Sequence, residues 1–251
     1  PEFKHDIDTY VTEVARGNVP GAQLFGAFGE LVTAGAITDW MVWPGPTTRQ
    51  PYSSTGVAIS VVSTSADDTS GGTGIQQVEI HYIDVNGDEQ EVYATMNGIT
   101  PVVVGVTAKF IQCVHANAIG SGGVAAGDIS VTSGGVVYSY LPAGKVRCSS
   151  ASRYVPNGKT LYITDMAGGS SSGTAAADCR IYIAKTEIAD HDYTTAGIYL
   201  PYNQVALQDN AVTQTVRTPF PVNQNRIVTM FATVDKGSTL TASWSGWIED
   251  A

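Results

Sequence analysis

Short apolar runs alternate with polar positions through most of this chain, and Gly, Pro or Asn breaks each run. A period of two marks a half-buried strand. Tyr154-Val-Pro-Asn-Gly-Lys-Thr-Leu-Tyr-Ile-Thr164 sets a turn signal directly before such a run. The pattern starts at Val57-Ala-Ile-Ser-Val-Val-Ser63. Val78-Glu-Ile-His-Tyr-Ile-Asp84 and Glu89-Gln-Glu-Val-Tyr-Ala-Thr-Met96 then flank Asn86-Gly87. Asn-Gly between alternating runs predicts a hairpin closed by a two-residue primed turn, which needs positive φ at both central residues. Further strands are predicted at 102–104, 108–115 and 128–132, and at 136–140 after a Gly134-Gly135 turn. Others follow at 161–164, 180–185 and 197–200, with Phe220-Pro-Val222 as an edge or strand entry. The last two runs, 226–234 and 240–248, lie on either side of Lys236-Gly237. Gly-rich stretches at 66–74, 118–127 and 167–173 read as loops.

Helical spacing occurs once. Ile7, Tyr10, Val11 and Val14 share a stripe between Pro1 and about Arg16, with Asp6 as N-cap and Gly17-Asn18 as the stop. The segment reads either as an arm docked on a neighbouring subunit or as a terminal helix packed on its own domain. Dense strands with no helix between them predict an all-β fold, a β-sandwich or jelly roll with a short N-terminal helical or extended arm. No fixed repeat length is visible, which argues against a solenoid or a propeller. The chain divides into an N-terminal arm with a Trp-rich segment (1–45), a small β unit (46–108) and a C-terminal sandwich (109–251). Alternatively, 46–251 forms one continuous β domain.

Composition adds limits. Of 251 residues 43% are hydrophobic, enough for a sizeable core. Only 14% are charged, so Ser, Thr, Asn, Gln and Gly carry the polar surface, a style that suits a surface buried in an assembly. The net charge is −10 and no basic run exists, which excludes nucleic acid and an anionic membrane as partners. Cys113, Cys148 and Cys179 match no zinc or redox spacing and read as buried, reduced thiols. Pro1 is what removal of an initiator Met leaves, and no signal peptide or membrane-spanning run is seen, so synthesis in a cytosol is expected.

Chemistry-bearing constellations are sparse. Asp84, Asn86 and Asp88 have the one-three-five spacing of a calcium loop, but Glu89 stands where that loop needs Gly and Thr95 where it needs a bidentate carboxylate. Asp190-His191-Asp192 offers metal-type side chains but reads more simply as a solvated turn. His81 and His115 lie in strand-like runs, and a metal or pH-sensitive site follows only if they face each other across paired strands. No nucleophile elbow or phosphate-binding loop appears, and nothing places Glu89, Glu91 or Glu187 at the separation glycoside hydrolysis requires. The expectation is no catalytic residue, no metal and no cofactor.

One resemblance adds to this. Phe25-Gly-Ala-Phe-Gly29 and the Trp-rich segment lead to Ile83-Asp-Val-Asn-Gly-Asp88 and Asn97-Gly-Ile-Thr-Pro101. Ala118-Ile-Gly-Ser-Gly-Gly123, Val155-Pro-Asn-Gly-Lys-Thr-Leu-Tyr-Ile163 and Pro219-Phe-Pro-Val222 follow. In this order the features resemble virion structural proteins of tailed bacteriophages. The resemblance implies a β-sandwich capsid decoration or cement protein on the virion surface, made in the host cytoplasm. It would act as a homotrimer or other symmetric oligomer that stabilises the major capsid protein lattice. Tyr10, Val14, Phe25, Phe28, Trp40, Trp43, Trp244 and Trp247 are then the expected interface residues. Trp244 and Trp247, three apart in a strand, should point to opposite faces. The alternative is a tail or fibre component that binds a host surface or glycan, and a weaker one is a secreted-type β hydrolase.

Overall fold

The structure is a computed structural model that describes residues 7–172, 177–191, 199–208 and 211–251. The helical stripe becomes α1 (Ile7–Ala15). The first strands are β1 (Gln23–Thr33), β2 (Ile37–Met41), β3 (Val57–Ser63), β4 (Ile75–Ile83) and β5 (Glu89–Thr95). Then come β6 (Val102–Ala108), β7 (Phe110–Ile119), β8 (Ile129–Ser133), β9 (Val136–Leu141) and β10 (Arg153–Tyr154). The rest are β11 (Lys159–Ser171), β12 (Asp178–Thr186), β13 (Tyr199–Gln208), β14 (Ala211–Asn223), β15 (Ile227–Val234) and β16 (Ser238–Asp250). The predicted run at 197–200 begins outside the described residues and continues into β13.

These strands do not form a single two-layered sandwich or jelly roll. They form four antiparallel sheets, a four-bladed arrangement of propeller type with one short helix among the described residues. The first blade has the order β1-β16-β11-β14, and the second β10-β15-β12-β13 with β2 also on β15. The third is β6-β3-β8-β9 and the fourth β5-β4-β7. The blades pack face to face in two pairs. Leu31, Leu161, Ile163, Ile181, Met230 and Trp244 are part of one core between the first and second blades. Ile59, Val61, Val78, Ile80, Val114 and Val131 belong to another between the third and fourth. The absence of a sequence repeat misled the expectation because the blades are not successive copies of one unit. The first blade joins β1 to β16, a pairing that runs from Gln23↔Ile248 to Thr33↔Ser238.

A third apolar cluster ties the two pairs together. Met41, Trp43, Tyr154 and Phe231 meet Ile83 and Phe110 from the ends of β4 and β7. Strand β15 feeds both neighbours, with Val228, Met230 and Ala232 on one face and Ile227 and Phe231 on the other. That two-sided burial explains why its sequence is nearly unbroken apolar. Buried amides complete the join. Gln50 donates to the carbonyls of Ile111 at 2.8 Å and Tyr138 at 3.2 Å, and accepts from Ser150 at 2.6 Å.

Two local readings also change. The β4–β5 hairpin forms, but its connection runs from Asp84 to Asp88, and in Asn86-Gly87 only Gly87 has positive φ, at 88°. Asp84 Oδ1 accepts from the backbone N–H of Asn86 at 2.8 Å and Asp88 at 3.0 Å, so the carboxylate builds the longer turn itself. The calcium-like spacing is therefore a turn device. The two-residue primed turn lies instead at Gly134-Gly135, with φ of 55° and 85°. The stretch 167–171, read as a flexible loop, is the end of β11, paired with β16 throughout and with β14 as far as Gly169.

Candidate functional site

The outer face of the fourth blade carries its chemistry. Along β4, Val78, Ile80 and Tyr82 point into the core, so Glu79 and His81 point away from it. On β7, Val114 and Ala116 face the core, and Cys113 and His115 take the other side. The register sets Glu79 opposite His115 and His81 opposite Cys113. On the other flank β5 places Tyr93 opposite Glu79 and Glu91 opposite His81. A bulge lies beside this group: the pairing steps from His81↔Cys113 to Tyr82↔Ile111 and leaves Gln112 unmatched. Bulges re-aim side chains. Gln112 donates to the Tyr154 carbonyl at 2.7 Å and accepts from the Tyr154 N–H at 2.8 Å, which fixes β7 to β10.

The two imidazoles stack with centroids 5.1 Å apart. The Glu79 carboxylate bridges them, Oε1 at 2.8 Å from His81 Nε2 and Oε2 at 3.1 Å from His115 Nε2. The Cys113 sulfur beside His115 is the main cause that raises that imidazole above its ordinary pKa; burial opposes the rise and Glu79 adds to it. Behind the ring, Cys148 donates a hydrogen bond to Cys113, sulfur to sulfur 2.8 Å. That bond, with help from His115 and Arg147 and against burial, holds the Cys113 thiol well below the usual range. The same bond and burial push the Cys148 thiol up.

His81, His115 and Cys113 line a cleft of about 530 Å³ between the fourth blade and β1. Leu24 and Phe25 form the apolar side, while His81, His115, Glu89 and Arg147 are the polar side. Glu89 reaches solvent, yet crowding by the cleft walls raises its carboxyl, with His81 and Arg153 acting in the opposite direction. Arg153 is buried, and its Nη1 donates to the carbonyls of Gln112, Ser150 and Ser152 at 2.9, 3.2 and 2.7 Å. It shapes the cleft floor, whereas the Arg147 side is exposed.

The residues expected at an interface are placed as follows. Val14, Trp43, Trp244 and Trp247 are buried within the chain. Trp43 Nε1 donates to the Thr47 carbonyl at 2.8 Å, and Trp244 Nε1 to the Ala151 carbonyl at 2.9 Å. Trp244 and Trp247 do take opposite faces. Trp244 enters the core of the first two blades, and Trp247 stacks on Tyr162 beneath Tyr10 of α1. Tyr10 is half-buried and donates to Glu249 at 2.7 Å. Phe25 and Trp40 are partly buried against the first core, and Phe28 is half exposed on β1. Asp190 holds its carboxylate among three hydrogen-bond donors. Its Oδ1 accepts from Tyr154 at 2.7 Å, Tyr52 at 2.9 Å and Lys109 at 3.0 Å; His191 is exposed, and Asp192 lies outside the described residues.

The conditional expectation for His81 and His115 is met, since they face each other across paired strands. Glu79 and Cys113 were missed. The available signal was the pair of two-residue spacings, Glu79-x-His81 and Cys113-x-His115, in adjacent strand-like runs.

No family model and no curated protein matches the chain. Among solved structures, similarity is found to infectious bursal disease virus Gt strain, at 10% identity over 92% of this chain and 73% of that one, with a TM-score of 0.16. The infectious bursal disease virus VP2 subviral particle gives 8% identity, 93% and 77% coverage and a TM-score of 0.16. Such scores carry no argument about fold or function. The resemblance drawn from sequence style implied a β-sandwich, and the four-bladed arrangement does not uphold it. The four-bladed arrangement also replaces the sandwich or jelly roll on which a capsid decoration or cement role was built. That role is withdrawn.

Proposed function

We propose that this chain is a non-enzymatic binding module that takes a glycan in the cleft between β1 and the fourth blade. The observation that carries the reading is the composition of the cleft walls. An aromatic ring and an aliphatic side chain, Phe25 and Leu24, face a polar wall of His81, His115, Glu89 and Arg147 across about 530 Å³. A sugar presents a C–H face to one kind of surface and hydroxyls to the other, and pockets with a few convergent polar groups are the default sites for such ligands. The low charge of the chain suits a neutral, hydroxyl-rich ligand better than a phosphorylated one. Fold-level analogy alone would not assign this role, so the weight rests on the cleft.

The test is a glycan array probed with the whole chain, followed by calorimetric titration of any sugar retained. Arg147→Ala and Phe25→Ala should each weaken binding by about tenfold, the equivalent of one hydrogen bond to a charged group or a lost ring face. An array with no retained sugar overturns the reading. Turnover of the retained sugar by the wild-type chain overturns its non-enzymatic part.

A further inference from the structure

Two adjacent strands deliver three metal-type donors to one point. Glu79 and His81 are two residues apart on β4, and His115 is the cross-strand partner of Glu79 on β7. All three therefore leave the same face of the sheet. One ligand atom from each of the three lies within 4.8 Å of the other two. Hydrogen bonding gives an incomplete account of this group. Nδ1 of His115 is buried with no partner in hydrogen-bond geometry, whichever nitrogen carries the proton. Buried polar atoms are rarely left so.

A cation at the point of convergence settles the proton inventory. Each Nε2 then gives its lone pair to the metal and each Nδ1 carries the proton, the usual division in metal-bound imidazole. At His115 the Cys113 sulfur is the nearby group on that side of the ring. Metal–nitrogen and metal–oxygen bonds of about 2.0–2.2 Å need donors separated by little more than the present contacts.

We propose that Glu79, His81 and His115 bind one divalent transition-metal ion of the zinc type, with a coordination position open to the cleft. Two imidazoles and a carboxylate suit zinc, whereas calcium and magnesium require oxygen ligands. Three protein donors leave a fourth position for an outside ligand. Both imidazoles line the cleft and Glu79 does not, so the carboxylate backs the ion and the open position faces the ligand space. The ion would supply a Lewis-acidic contact for a ligand oxygen there. This inference does not rest on the glycan reading, because metal uptake is measured with no sugar present.

The experiment uses the whole chain, dialysed against chelator and titrated with zinc chloride by calorimetry, with a parallel cobalt(II) titration followed by visible absorption. The expected result is one ion per chain and the absorption of a four-coordinate cobalt site without thiolate charge transfer. His81→Gln, His115→Gln and Glu79→Gln should each weaken binding on the order of 100-fold, the upper range for loss of even a supporting group. His191→Gln should change nothing. Circular dichroism melts accompany each variant, and a variant that has unfolded is replaced in the comparison by the wild-type cobalt spectrum. A wild-type chain that takes up no zinc, equal affinity in the folded His81→Gln and His115→Gln variants, or a six-coordinate or thiolate cobalt spectrum overturns the proposal. A chain that binds zinc but retains no glycan keeps this inference and loses only the function proposed above.

Discussion

Asp190 shows how much a single side chain holds together. It has φ of 53° and no regular element around it, yet one of its oxygens receives Tyr52, Lys109 and Tyr154. Burial raises its carboxyl, but the hydrogen bonds from Tyr154, Lys109 and Tyr52 outweigh it and leave the group below the usual carboxylate range. A depressed folded pKa stabilises the native state above the unfolded value of about 3.9 and loses that contribution as pH falls through the folded value. The acid limb of the stability profile should therefore fall below about pH 4, and Asp190→Asn should flatten it. Urea melts across pH for both proteins measure this, and identical acid limbs would sink the claim. The side chain is 39% exposed, so solvent screening keeps the effect modest. Asp68 is its buried counterpart: Ser63 Oγ and the N–H groups of Ile75, Ala126 and Gly127 all donate to it. Neither role was legible in the sequence. Asp68 read as part of a loop and Asp190 as part of a solvated turn, because hydrogen bonds that reach residues 59 and 138 positions away leave no local pattern.

At the scale of elements, what was legible was whatever a few consecutive residues decide. The strand runs, the helix over α1 and the Gly134-Gly135 turn follow from spacing and backbone freedom. The Asn86-Gly87 hairpin was legible as a hairpin but not in its turn type, since Asp84 competes for the backbone donors with its own carboxylate. Gly87→Ala should cost about 1–2 kcal/mol, the penalty of placing a side chain in the left-handed region. An added Cβ would also crowd Asn225 Oδ1, which sets the cost toward the upper end. Thermal melts of the variant test this, and an unchanged midpoint would mean that the turn relaxes without strain. Gly168-Gly169 was misread because small residues in series look like a loop, although here they sit in β11 between two hydrogen-bonded neighbours. The site was half legible for a related reason. Period two showed that His81 and His115 each had a face, but only the β4–β7 register shows that it is the same face.

For the whole molecule, the sequence carried the all-β class and a core of adequate size, and it was silent on how strands divide among sheets. The join between the two blade pairs rests on few residues, so it is a good place to measure coupling. Gln112→Ala removes the donor and acceptor that hold the Tyr154 backbone and leaves both groups of that buried residue unpaired. A loss of about 2–4 kcal/mol is expected, one unsatisfied donor and one acceptor. Hydrogen exchange should show it as faster exchange along β7 and β10 together. Faster exchange confined to β7 would show that the amide does not couple the pairs.

The β1–β16 pairing has one more consequence, for the order in which the chain acquires its shape. Gln23 meets Ile248, so the first blade closes over more than 200 residues of intervening chain, while the third and fourth blades use only strands β3 to β9. Contacts far apart in sequence form late, because loop closure must come first. On a ribosome the middle segment has all its partners before the last strand has been made, and β1 waits for β16 until synthesis is nearly done. During that interval the earliest strand is unpaired and its Phe25 and Leu31, which the finished core covers, are open to any nascent neighbour, which makes the first blade the stage at which chaperones and translation speed would decide the yield of native protein.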